Sequence, residues 1–284
     1  MLSRLRRYAS FIRFSHTVFA LPFALSGALL VARSSPVTWG RVGWIVLAMV
    51  TARTAAMGFN RLVDARFDAQ NPRTANRELP RGRMKRTEGV ALVTAASAAF
   101  VAVTWMIDPL CFFLSPVALT IVFWYSLAKR VTHYTQLFLG LALAVAPVGG
   151  WLAAGGRGGW APWVLAAGTG LWVAGFDILY ACDDIDFDRA HGLHSIPAKF
   201  GVRRALVISR VFHVLTVACL AAVAAVEPLG AVYITGVVAV ALLLGYEQSL
   251  VHPHDLSKVK QAFDLNGYVG LLYLAAMAGA VYVG

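Results

Sequence analysis

Residues 159–179 read GWAPWVLAAGTGLWVAGFDIL, with Asp177 the single charged side chain in the run. A helix of about 20 such residues crosses the roughly 30 Å of hydrocarbon in a bilayer. The run shows no polar face at helical period, so it reads as a helix meeting lipid or other apolar helices on every side. Val90–Ile107 and Ala205–Val226 have the same character. The 284-residue chain is 59% hydrophobic and 14% charged, whereas a soluble domain carries roughly a quarter charged residues. The fold class expected is all-α, a polytopic membrane protein of about nine transmembrane helices forming one domain over residues 1–284. The spans are expected at Thr17–Ala32, Val42–Phe67, Gly89–Met106, Pro109–Ala128, Gln136–Ala154, Pro162–Cys182, Ala205–Val226, Leu229–Gly245 and Phe263–Val283.

The net charge of +11 is accounted for by Lys and Arg on one set of loops, so nucleic acid is not an expected partner. Basic residues crowd the N-terminus (Arg4, Arg6, Arg7, Arg13), residues 71–87, Lys129–Arg130, residues 183–204 and Lys258–Lys260; the alternate loops hold only Arg33, Arg41 and Arg157. By the positive-inside rule this places the N-terminus in the cytoplasm of a multi-pass protein of the cell inner (plasma) membrane. Leu25–Ser26–Gly27–Ala28 makes a poor cleavage site, so the first apolar segment is expected to stay as a helix. Cys111, Cys182 and Cys219 stand far apart in apolar surroundings and indicate neither disulfides nor zinc.

Two span ends break the apolar pattern. The second ends in NRLVDARFD, residues 60–68, and the sixth runs on into DILYACDDIDFD, residues 177–188. Positions four apart on a helix share a face about 6 Å apart, so Asn60, Asp64 and Asp68 form one stripe, with Arg53 about two turns deeper. Asp177, Tyr180, Asp184 and Asp188 form a second stripe on a continuous helix. Carboxylates within a membrane segment cost at least ~2.5–3.5 kcal/mol each and call for a compensating cation. Oxygen ligands about one turn apart suit Mg²⁺, which is commonly shared with substrate phosphates. The flanking Arg and Lys indicate an anionic ligand, and the metal would neutralise charge on a departing diphosphate. For any single carboxylate, such as Asp183 or Asp186, pairing with a nearby arginine at the interface is the simpler reading; the joint pattern on two helices carries the functional one.

The pair of motifs resembles the two aspartate motifs of the UbiA superfamily of intramembrane prenyltransferases. The segment 125–136, YSLAKRVTHYTQ, is similar to the family's Tyr–Lys–Arg segment, and Arg53, Gly192 and Ser195 fall in matching places. The resemblance spans the second to seventh helices. It implies nine helices around a central cavity and Mg²⁺-dependent transfer of a polyprenyl group from polyprenyl diphosphate to an acceptor. It further implies Asp64, Asp68, Asp184 and Asp188 as catalytic metal ligands, with Asn60 as an additional oxygen ligand. Lys129, Arg73 and Arg77 would contact the diphosphate, and Tyr125 and Tyr180 would orient the substrate. Arg53 would meet an acceptor carboxylate or a motif Asp. Where many members have Gly-x-Lys-Ser, this chain has Gly192-Leu-His194-Ser195, and Lys199 is the candidate to supply the missing cation. The loop 71–82, the segment beginning at His16 and the GLHSIPAKFG stretch resemble a subgroup labelled 4-hydroxybenzoate polyprenyltransferase-like. The acceptor is then an aromatic acid of one ring, as 4-hydroxybenzoate, or of two, as the 1,4-dihydroxy-6-naphthoate of the futalosine menaquinone route. His16 reads as an interfacial histidine, and the tryptophans as belt or packing residues.

Two other classes use intramembrane carboxylates. An ion-coupled transporter places them near the midplane on broken helices, whereas these stand at helix ends. The phosphatidyl-alcohol transferases require an Asp-Gly followed by Ala-Arg ahead of paired aspartates, which this chain lacks.

Overall fold

The computed structural model describes Phe11 and residues 19–283; His16, the four N-terminal arginines and the expected start of the first span at Thr17 lie outside the described residues. Every extended element among the described residues is helical: α1 Leu21–Ala32, α2 Trp39–Gln70, α3 Arg86–Ile107, α4 Pro109–Ala128, α5 Thr135–Ala153, α6 Ala161–Ala181, α7 Ile185–Ala190, α8 Ile196–Val226, α9 Gly230–Ser249 and α10 Val259–Tyr282. Eight helices are long and apolar enough to cross a membrane, and α1 is a shorter apolar one. That agrees with the expected nine, and the chain is a multi-pass helical membrane protein.

Local chemistry sets the ends of these helices. Thr38 caps α2 by accepting from Arg41 N, and Asp108 caps α4 by accepting from Leu110 N at 2.8 Å, ahead of Pro109 in the first turn. Glu88 accepts from Lys85 N at the start of α3. Ser195 caps α8, accepting from Ala198 N at 3.2 Å. α8 breaks at Gly201, whose φ of 78° admits a kink that a side chain would resist. The spanning part of α8 therefore begins at Val202, close to the expected Ala205.

Neighbouring helices pack side by side into a ring: α2, α3, α4, α5, α6, α8, α9 and α10, closed by α1. α1 also presses on α5, backbone against backbone. A Cβ at Gly150 would lie 1.9 Å from Ala24 O, and one at Gly27 2.0 Å from Pro147 O. Small residues at such crossings let apolar helices gain close packing where lipid supplies no hydrophobic drive. Beside this crossing Phe19, Phe23, Trp172, Phe176, Phe263 and Tyr273 interlock, while Leu242, Val214 and Phe113 point outward as lipid-facing side chains. Trp172 is a packing residue, fully buried; Trp39 and Trp160 are exposed.

One expectation is corrected. Asp177, Tyr180, Asp184 and Asp188 do not share a continuous helix, because α6 stops at Ala181 and a 3₁₀ turn, Cys182–Asp184, precedes the short α7. Clustered aspartates compete for backbone hydrogen bonds and weaken an α-helix locally. The tighter turn re-aims Asp184 and Asp188 relative to Asp177.

Candidate active site

The loop after α2, the end of α4 and the turn after α6 converge at one end of the ring. α2 delivers Asn60, Asp64 and Asp68 in the expected stripe and is followed by Asn71 at its C-cap. Asp64 and Asp68 are buried, 3% and 6% exposed. Asp64 accepts from Lys129 Nζ at 2.7 Å, from Arg130 Nη2 at 2.8 Å and from Asn60 Nδ2 at 3.1 Å. Both oxygens of Asp68 accept from Arg77 Nη1, at 2.6 and 2.8 Å.

The loop after α2 ties the two motifs together. Arg73 donates to both Asp184 oxygens and to the Tyr180 hydroxyl, and Asn71 Nδ2 donates to Asp184 Oδ1 at 3.2 Å. Burial disfavours the Arg73 charge, but the facing Asp184 and Tyr180 more than offset it and hold its pKa above the ordinary value. Asp188 accepts from Ser195 Oγ at 2.9 Å, so the residue that caps α8 also fixes the last carboxylate. Gln136 Oε1 accepts from Ile196 N at 3.1 Å, joining the start of α5 to the same turn.

These groups enclose a polar cavity of about 250 Å³. Next to it lies an apolar chamber of about 850 Å³, bounded by α2, α3, α4, α5 and α6. Tyr125 and Leu139 line both spaces. The chamber follows α4 from Tyr125 to Cys111, roughly 21 Å at 1.5 Å of rise per residue. Arg53 is its one charged lining residue among those described. Of the residues expected in the site, Asn60, Asp64, Asp68, Arg73, Arg77, Tyr125, Lys129, Tyr180, Asp184 and Asp188 line the polar cavity. Arg53 lies in the chamber. Lys199 lies outside both linings, exposed, with its ammonium over the rings of Tyr134 and Phe200 at 5.4 and 5.1 Å.

Sequence reasoning left Asn71 and Arg130 out of the site and gave Ser195 only as a matching position. The stripe of 60, 64 and 68 continues to 71 at helical spacing, so Asn71 had a signal. Ser195 had none, because its link to Asp188 depends on the turn between α7 and α8.

Among the described residues no three His, Cys, Asp or Glu side chains converge as an all-protein metal cage. The donor set is instead pairs of carboxylates and an amide oxygen facing one cavity. This suits a hard cation completed by substrate oxygens and water.

Fold and site together place a charged polar cavity beside a long apolar chamber inside a helical membrane protein. The chain belongs to the UbiA prenyltransferase family, whose model matches residues 20–276; its members are transferases, which sets aside the ion-coupled transporter. It is 31% identical to a 4-hydroxybenzoate octaprenyltransferase of Vibrio vulnificus over 86% of each chain. Among solved structures, it matches the apo structure of a UbiA homologue from Aeropyrum pernix at 37% identity, with a TM-score of 0.85 and coverage of 93% and 97% of the two chains. A UbiA homologue from Archaeoglobus fulgidus bound to GPP and Mg²⁺ shares the fold at 18% identity, TM-score 0.73, covering 97% and 99%.

Proposed function

We propose that this protein transfers a polyprenyl group from polyprenyl diphosphate to 4-hydroxybenzoate or a closely related aromatic acid, with Mg²⁺ as cofactor. The observation that carries the reading is the junction at Tyr125, where a carboxylate-lined polar cavity meets an apolar chamber whose charged group is Arg53. The names of the curated relatives support a one-ring acceptor, and the GPP and Mg²⁺ bound by the Archaeoglobus homologue support the donor class.

Asp64, Asp68, Asp184 and Asp188, with Asn60, would hold the metal. When bound, Mg²⁺ supplies Lewis-acid neutralisation of charge on the leaving diphosphate. Arg73, Arg77 and Lys129 already neutralise carboxylates at the cavity wall and stand within reach of diphosphate oxygens. Arg offers paired N–H donors there and Lys a compact charge. Departure of diphosphate leaves an allylic cation that a ring carbon of the acceptor attacks, and the ring then loses a proton. The apolar wall of the chamber keeps water from quenching that cation. Arg53 would hold the acceptor carboxylate, and Tyr125 and Tyr180 would orient the donor. The charged end of the ring faces the cytoplasm of the inner membrane, where both soluble acceptor and diphosphate are accessible.

The test is product formation by the purified protein in lipid, given prenyl diphosphates of several lengths with 4-hydroxybenzoate or 1,4-dihydroxy-6-naphthoate. Prenylated 4-hydroxybenzoate, lost on chelation and restored by Mg²⁺, is the expected result. Exclusive prenylation of the naphthoate would move the acceptor to the two-ring class. No product with either acid would refute the aromatic reading.

A further inference from the structure

Each cation that lines the polar cavity is engaged with a carboxylate: Lys129 with Asp64, Arg77 with Asp68 and Arg73 with Asp184. His194 differs. It lines the same cavity, yet its Nδ1 is hidden from solvent and has no hydrogen-bond partner among the described residues. Its backbone is fixed, since His194 N donates to Lys129 O at 2.8 Å, which ties the histidine to the turn that carries Lys129. Its ring is held edge-on against His133, with centroids 4.3 Å apart and planes at 66°. His133 Nδ1 is likewise hidden and without a partner. An imidazole fixed by backbone and ring packing, lining a cavity walled by Lys and Arg with an unpartnered Nδ1, has hydrogen-bonding capacity that the protein itself does not use.

We propose that His194 is a substrate-binding residue that donates to the prenyl diphosphate, held at its angle by His133 as a positioning residue. The inference rests on the prenyl diphosphate reading of the site. His194 shares the cavity with Lys129, just beyond the end of α4, and Asp188 on α7. Asp64, Asp68, Asp177 and Asp184 stand on the other walls, with Arg73 and Arg77. Burial, His194 and Lys199 together push the His133 pKa below its ordinary value. His133 therefore favours its neutral form as the supporting ring.

The experiment measures binding of inorganic pyrophosphate with Mg²⁺, and the KM for geranyl diphosphate. It compares wild type with His194→Ala, His194→Gln, His194→Lys and His133→Ala, with melting temperatures confirming that each is folded. His194→Ala is expected to weaken pyrophosphate and raise KM by about tenfold or more, and His194→Gln, which keeps an N–H donor, to lose less. His194→Lys restores binding, and His133→Ala raises KM with little change in kcat. Equal binding in wild type and His194→Ala overturns the inference, as does a His194→Lys variant as weak as His194→Ala. A wild-type protein that binds neither pyrophosphate nor geranyl diphosphate overturns the donor reading itself.

Discussion

Asp64→Asn leaves the side chain's shape almost unchanged and removes the charge that three donors share. Lys129, Arg130 and Asn60 converge on this carboxylate at 2.7, 2.8 and 3.1 Å, and Asp64 is 3% exposed. Losing one partner of a buried ion pair costs about 3–5 kcal/mol when the other charge stays trapped. Here the Lys129 and Arg130 side chains keep 28% and 27% exposure and regain some water. The estimate therefore falls to about 2–3 kcal/mol. At about 2–4 °C per kcal/mol for a chain of this size, the melting temperature in lipid nanodiscs drops by about 4–12 °C. The double variant Asp64→Asn/Lys129→Met relieves one stranded cation and recovers part of the loss, a coupling of about 0.5–3 kcal/mol. A single variant that melts with wild type, or a double variant whose effects simply add, would refute the reasoning.

Trp172→Phe keeps the aromatic packing but removes the Nε1 donor to Asn266 Oδ1, a 2.6 Å bond between fully buried groups in a chain that continues to Glu247. Leaving that buried acceptor unsatisfied costs about 1–3 kcal/mol, to be read as a lower melting temperature; an unchanged melt contradicts it. Gly150→Ala forces α1 from α5, because the new Cβ would lie 1.9 Å from Ala24 O, at a cost of about 1–3 kcal/mol. Gly149→Ala, with nothing within 4 Å of its Cβ, is the control and leaves the melt unchanged or slightly raised; equal effects at the two positions would dismiss the close crossing.

The helices were legible because lipid imposes one rule on every span: about 20 apolar residues with no polar face. The bounds expected for α4, Pro109–Ala128, coincide with those observed, and most others differ by a few residues. The first motif was legible because α2 continues unbroken from Trp39 to Gln70, so spacing alone puts Asn60, Asp64 and Asp68 on one face. The second was legible as a cluster but not as geometry, since the 3₁₀ turn at Cys182–Asp184 alters the register that a uniform helix would give. Contacts that cross the chain left no local trace. Arg73 reaches Asp184 across 111 positions, and Arg130 reaches Asp64 across 66; the sequence shows those arginines as basic loop residues with nothing to say which carboxylate each meets. Lys199 illustrates the converse: it is near the motif in sequence, yet the kink at Gly201 and the start of α8 leave it over Tyr134 and Phe200, outside the cavity.

That both aspartate clusters hold the diphosphate through metal is most directly tested by metal binding itself. Mn²⁺ in place of Mg²⁺ is counted by electron paramagnetic resonance on the purified protein, with and without a non-hydrolysable prenyl thiodiphosphate. About two Mn²⁺ per chain are expected with the analogue, completed by its oxygens, falling by about one in Asp64→Ala and in Asp184→Ala. Mn²⁺ loading indifferent to the analogue, or unchanged in both variants, would contradict a diphosphate bridged between the two clusters.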